Sequence, residues 1–139
     1  MLVAWWVNAL ALAFGVVLGV RALLDPRWAA KFVRLKADEQ GGGFAEFRAT
    51  YGGVFAGAHV AALALSLKYV TSGSPVIGVC ATGAAAVLAA AWGGAAFGRA
   101  LSYWRDDTRT PFNRLSMGVE AAMALAIGVP WLLWALSKP

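Results

Sequence analysis

Four stretches of this chain, about residues 2–24, 47–70, 76–101 and 115–136, are long, apolar and almost free of ionisable side chains. Each meets or exceeds the roughly 20 residues an α-helix needs to cross the hydrocarbon of a bilayer. No water reaches the backbone N–H and C=O groups there. A segment crossing alone must satisfy them internally, and the α-helix does so. With their connections the four stretches use up the 139 residues, leaving no length for a separate soluble domain. The prediction is a single, all-α integral membrane domain over residues 1–139, a transmembrane four-helix bundle made of two hairpins. Composition agrees. The chain is 60% hydrophobic and 14% charged, whereas soluble domains run near half apolar and a quarter charged.

Small residues recur at helical spacing in every stretch. Gly15 and Gly19 form a GxxxG step in the first, Gly53 and Gly57 in the second, and Gly94 and Gly98 in the third. In the fourth, Gly118 and Ala122 give the same spacing. Glycines one turn apart let a neighbouring helix approach the backbone closely, which is how helices associate where lipid removes any hydrophobic drive. The third stretch is mostly alanine and glycine. Alanine contributes little to insertion, so this helix is expected inside the bundle. Gly15-xxx-Gly19-x-Arg21 also echoes Gly94-xxx-Gly98-Arg99, the pattern two related hairpins would leave.

The connections carry the charge. Asp25-Pro26 reads as a helix start, with Asp as N-cap and Pro at the first helical position. Over Pro26 to Lys36, Trp28, Phe32 and Leu35 share a face beside Arg27, Lys31, Arg34 and Lys36. The segment is predicted to be a short amphipathic helix, lying on the membrane surface or capping the bundle. Residues Ala37 to Gly43 form a polar, then glycine-rich turn. Ten of the twelve basic residues flank the first and third loops; only Lys68 and Lys138 lie on the other side. The positive-inside rule makes those two loops cytoplasmic and puts both termini outside. Aromatic residues repeat the division, with Trp5, Trp6, Tyr69, Trp131 and Trp134 as an outer belt and Trp28, Tyr51, Tyr103 and Trp104 as an inner one.

A net charge of +5 invites a nucleic-acid reading. The cations sit at the ends of apolar stretches, where topology and anionic headgroups account for them, so nucleic acid is not the expected partner. The single cysteine, Cys80, has no internal partner and is expected to pack as a small apolar residue. No positive residue precedes the first apolar stretch, which is also longer than a signal-peptide core, so it is read as the first span.

Few residues could carry chemistry. Glu120 lies roughly 7–8 Å into the fourth span, where an acid needs a partner. Arg48 and Arg99 stand at the same helix ends, with Glu46 as a second acid. The four form either a binding or proton site or a structural ion-pair cluster. His59 falls near mid-membrane, as a functional group or as a neutral ring bonded to Ser66, Thr82 or a backbone carbonyl. Asn8 is expected to make an interhelical hydrogen bond. One histidine and one cysteine make a metal centre improbable. Asp106-Asp107 among arginines reads as solvated. No phosphate loop, CxxC, HExxH or Ser/His/Asp pattern occurs, so no cofactor and no enzymatic activity are expected.

Pro26 after the first span, Glu46-Phe47-Arg48-Ala49-Thr50-Tyr51-Gly52-Gly53 opening the second, Gly98-Arg99 closing the third and Glu120 in the fourth together resemble something known. The chain is similar, over nearly its whole length, to the small four-span bacterial membrane family catalogued as domain of unknown function 4345. The resemblance implies a four-span fold in a bacterial inner membrane and draws attention to Glu46, Arg48, Arg99 and Glu120. It implies no activity, substrate or cofactor. The leading functional expectation is a helix-packing accessory or scaffold subunit, or a homo-oligomer. The alternative is a small proton-coupled carrier using the Glu/Arg/His residues. An interfacial enzyme using the Glu46 and Glu120 carboxylates ranks last, since no nucleophile or spacing supports it.

Overall fold

The computed structural model describes residues 2–36, 39–40 and 42–137. Of the expectations above, those on Ala37, Asp38, Gly41 and Lys138 lie outside the described residues. The described chain is an all-α bundle of five helices: α1 (Leu2–Leu24), α2 (Pro26–Val33), α3 (Gly42–Ser72), α4 (Pro75–Arg105) and α5 (Pro111–Leu136). All but α2 are long and apolar enough to cross a membrane, which makes this a multi-pass membrane protein. The helices overrun the apolar stretches. α4 has 31 residues, about 46 Å at 1.5 Å per residue, against a hydrocarbon core of about 30 Å. The excess is polar: Ser102 to Arg105 continues the helix because the backbone ladder closes on itself whatever the side chains are.

The helix ends follow local chemistry. Asp25 caps α2, its Oδ1 accepting from the Trp28 N–H at 3.0 Å. α2 stops at Val33, earlier than predicted, because Arg34 takes the left-handed conformation at φ 60°. The Arg34 N–H then bonds the Lys31 carbonyl and the Leu35 N–H the Ala30 carbonyl, the paired bonds of a Schellman ending. Leu35 and Lys36 therefore fall outside the helix. Gly73 at φ 63° ends α3 in the same left-handed region, and Pro75 starts α4 two residues later. Thr110 caps α5 through the Asn113 N–H at 3.1 Å, with Pro111 at the first position.

The chain divides into two compact units, Met1–Ala11 with Leu65–Pro139, and Leu12–Ala64. In the first, α4 and α5 pack as a hairpin. Small residues set the approach: a Cβ on Gly128 would lie 3.1 Å from the Ala89 methyl, and one on Gly93 would lie 3.8 Å from that of Ala124. The beginning of α1 and the end of α3 join this hairpin through buried polar bonds. Asn8 Nδ2 donates to the Ile127 carbonyl at 2.7 Å, and Ser66 Oγ donates to Asn8 Oδ1 at 2.8 Å. Pro130 lies inside α5; its missing N–H leaves the Ala126 carbonyl, four residues earlier, without its ladder bond, and the Ile127 carbonyl beside it takes the Asn8 donor.

The second unit is built on close helix approach. A Cβ on Gly19 would lie 2.7 Å from the Ala56 backbone nitrogen, and one on Gly52 would lie 2.8 Å from the Leu23 backbone. Ala22, Ala29, Ala30 and Phe47 form the core, with Trp28, Val33 and Phe44 packed around it. α2 thus seats an alanine face inward. Phe32 and Leu35 remain about half exposed, and Trp28 stacks on Phe32 at 5.0 Å.

One expectation is overturned. The alanine- and glycine-rich third span, α4, is not the most enclosed helix: 17% of its apolar window is buried, against 39% for α1 and 22% for each of α3 and α5. Its small side chains let α5 approach along one face and leave the remaining arc exposed. Val87 is 70% exposed there and Phe97 69%. Cys80 lies exposed on this helix rather than packed as a small apolar residue.

Candidate functional site

The strongest concentration of polar chemistry lies where α4 ends and α5 begins, within the first unit. Arg99 Nε donates to Glu120 Oε1 at 2.7 Å. The carboxyl side chain is 12% exposed and the guanidinium side chain 33%. Asn113 ties the pair to the connecting loop. Its Nδ2 donates to the Arg99 and Thr108 carbonyls at 3.3 and 3.2 Å, and its Oδ1 lies 3.4 Å from Arg99 Nη1. Ser102 and Thr108 close the ring through their hydroxyls at 3.1 Å. Two helices and a loop thereby hold one carboxylate and one guanidinium in place.

Glu120 Oε2 is the exception in this network. It is buried and has no hydrogen-bond partner among the described residues. Burying a polar atom without a partner costs about 1–3 kcal/mol. Glu120 therefore presents one neutralised oxygen and one oxygen able to accept a proton or a donor.

Glu46 and Arg48 belong to the second unit. Glu46 is exposed at the end of the first α-helical turn of α3. Arg48 Nη1 donates to the Leu23 carbonyl at 2.9 Å, satisfying one of the acceptors left over at the end of α1. The helix winds in π form over Phe47–Val54, the Glu-x-Arg-Ala-x-Tyr-Gly-Gly stretch nearly in full. Arg48 and Gly52, four residues apart, lie on one side of it, and both meet Leu23. Stretches of π-helix are rare and cluster at functional positions. Of the four residues expected to act together, Arg99 and Glu120 form a pair, while Arg48 is engaged with its own unit's backbone.

His59 is also in the second unit and is 1% exposed. Its Nδ1 lies 2.8 Å from the Phe55 carbonyl. A carbonyl can only accept, so Nδ1 carries the proton. The ring lies against Phe55, 4.2 Å between centroids, and occupies the space a side chain on Gly15 would need. Of the three partners considered for the histidine, the structure supplies the backbone carbonyl; Ser66 bonds Asn8 instead.

The packing glycines divide. Gly15 and Gly19 face close neighbours, whereas among the described residues nothing lies within 4 Å of where a Cβ would stand on Gly57, Gly94, Gly98 or Gly118, and a Cβ on Gly53 would meet the Arg48 carbonyl at 3.6 Å. In the third loop Asp107 pairs with Arg109 at 3.0 Å, both well exposed. No group of three or more potential metal-ligating side chains occurs among the described residues. Asn113 is the site residue that sequence reasoning missed. Its signal was present: in Thr110-Pro111-Phe112-Asn113 a polar residue stands three positions after a helix cap.

Comparison with protein-family models, with curated proteins and with solved structures gives no match for this chain.

Proposed function

We propose that this chain is a helix-packing subunit of the bacterial inner membrane, belonging with the four-span family it resembles, and that it associates with a second copy of itself through α4. The observation that carries the proposal is the uncovered face of that helix. Cys80, Val87, Ala91, Gly94, Gly98 and Leu101 are all exposed. From Val87 onward their spacing is four, three, four and three, so they form one stripe along the helix. Small residues in such a stripe suit close contact with another helix and give little to lipid. The ten cations flanking the first and third loops support an orientation with those loops in the cytoplasm and both termini outward.

The lone cysteine supplies the test. In a symmetric pair with parallel α4 helices, Cys80 of each copy approaches the other, and a disulfide forms only when the Cα atoms come within about 7 Å. Mild oxidation of native membranes is expected to give a covalent dimer that Gly94→Leu weakens. A chain that stays uncrosslinked, runs as a monomer in nanodiscs and retains no companion would sink the proposal.

The partnerless Glu120 Oε2 supports a second role, a small proton-coupled carrier in which Glu120 exchanges a proton and Arg99 holds its other oxygen. Proton flux in proteoliposomes that Glu120→Gln and His59→Ala leave unchanged would rule this role out.

A further inference from the structure

Four of the five residues expected in the outer aromatic belt, Trp5, Tyr69, Trp131 and Trp134, line one groove of the first unit. The groove has a volume of about 410 Å³, within the range of small-ligand sites. α4 forms one wall, from Pro75 at the helix start to Ala86. Eleven residues of helix correspond to about 16 Å, so the mean cross-section is roughly 25 Å², the width of a single extended chain. The opposite wall is the end of α5, from Pro130 to Trp134.

The groove is built rather than left over. Gly78 has no side chain, and a Cβ there would lie 2.7 Å from the Tyr69 ring. The ring occupies that notch and packs on Trp5, 4.7 Å between centroids. Trp5 is itself buried. This pair forms a rigid apolar floor. Thr82, the polar side chain on the α4 wall, donates its hydroxyl hydrogen to the Gly78 carbonyl at 2.8 Å, so that donor is spent within the helix. Among the described residues, no acidic or basic side chain lines the groove. Its occupant is therefore uncharged where the groove holds it, elongated and apolar, with any polar end at the level of the helix termini. Tryptophan and tyrosine favour that level of a bilayer.

We propose that this groove is a binding site for one acyl chain of a bilayer phospholipid, which enters past Val79 and runs along α4 to Ala86. Val79 lines the groove and is 74% exposed, so it stands at the rim. The site is independent of the α4 stripe beyond Val87.

The test is photolabelling of the full-length protein in nanodiscs. The probe is phosphatidylethanolamine carrying a mid-chain diazirine, and labelled positions are mapped by mass spectrometry. Label is expected to concentrate between Thr82 and Ala86 and at Trp131. Ala86→Leu fills the far end and is expected to lower that label by about tenfold, while label at Phe14 and Val17, exposed on α1, is unchanged. Val79→Trp obstructs the rim without touching the packed interior, so it gives the same loss even if Ala86→Leu disturbs folding. Label spread evenly over exposed apolar positions and indifferent to both substitutions would overturn the proposal. So would labelling by a free diazirine palmitate that excess phospholipid fails to displace, since the occupant would then be a free fatty acid.

Discussion

Two glycines of identical chemistry behave differently according to what stands opposite. At Gly19 a Cβ would enter the backbone of Ala56, whereas at Gly57 it would meet nothing within 4 Å. Gly19→Ala is expected to cost about 1–3 kcal/mol, the usual penalty of overpacking. Gly57→Ala is expected to be neutral, or to stabilise by up to about 1 kcal/mol through helix propensity. Reversible unfolding in mixed detergent micelles reads both; equal effects would contradict the observed packing. The Arg99–Glu120 pair belongs to the same scale. Glu120→Gln leaves the guanidinium without its counter-charge and is expected to cost about 2 kcal/mol. Replacing both residues by methionine is expected to cost less than the two single changes added together. A double-mutant cycle with no coupling would show that the pair does not hold the α4–α5 end.

At the scale of elements, the terminators were more legible than the lengths. Asp25-Pro26 announces a boundary, because proline and the capping side chain act within one turn of helix, whereas Thr110-Pro111, which starts α5, goes unread when the fourth stretch is taken from about Leu115. The early end of α2 was hidden. Arginine has no preference for the left-handed region, and Arg34 enters it to close the bonds around Ala30 and Lys31. Asp25→Ala removes the α2 cap and is expected to destabilise that helix by about 1 kcal/mol. Faster limited proteolysis after Arg27 and Lys31 would report it; an unchanged cleavage rate would mean that packing by Ala29 and Ala30 alone holds α2. The π segment over Phe47–Val54 was likewise invisible. Its glycines and its arginine also fit an α-helix, and what distinguishes the two windings is the register of the backbone hydrogen bonds.

For the whole molecule, the distribution of cations makes an orientation testable. A cysteine placed at Glu39 in a Cys80→Ser background is expected to resist a membrane-impermeant thiol reagent in intact cells and to react after lysis. One placed at Ser74 is expected to react in both. Labelling of the Glu39 position from outside would reverse the topology proposed from Arg21, Arg27, Lys31, Arg34, Lys36 and Arg48.

The amino-acid sequence by itself determined that the chain is all-helical, where its four apolar helices lie and where most of them stop. Those properties depend on the apolarity of consecutive residues and on caps that act over three or four positions. Only the tertiary structure decided which small-residue faces are used. GxxxG reads the same at Gly15 and Gly94, yet a Cβ at Gly15 would meet His59, while one at Gly94 would meet nothing within 4 Å among the described residues. It also decided that Arg99, rather than Arg48, neutralises Glu120, and that four interfacial aromatic residues enclose one groove. Each of these depends on the rotation of one helix about its axis relative to its neighbours, which spacing along a single helix does not encode.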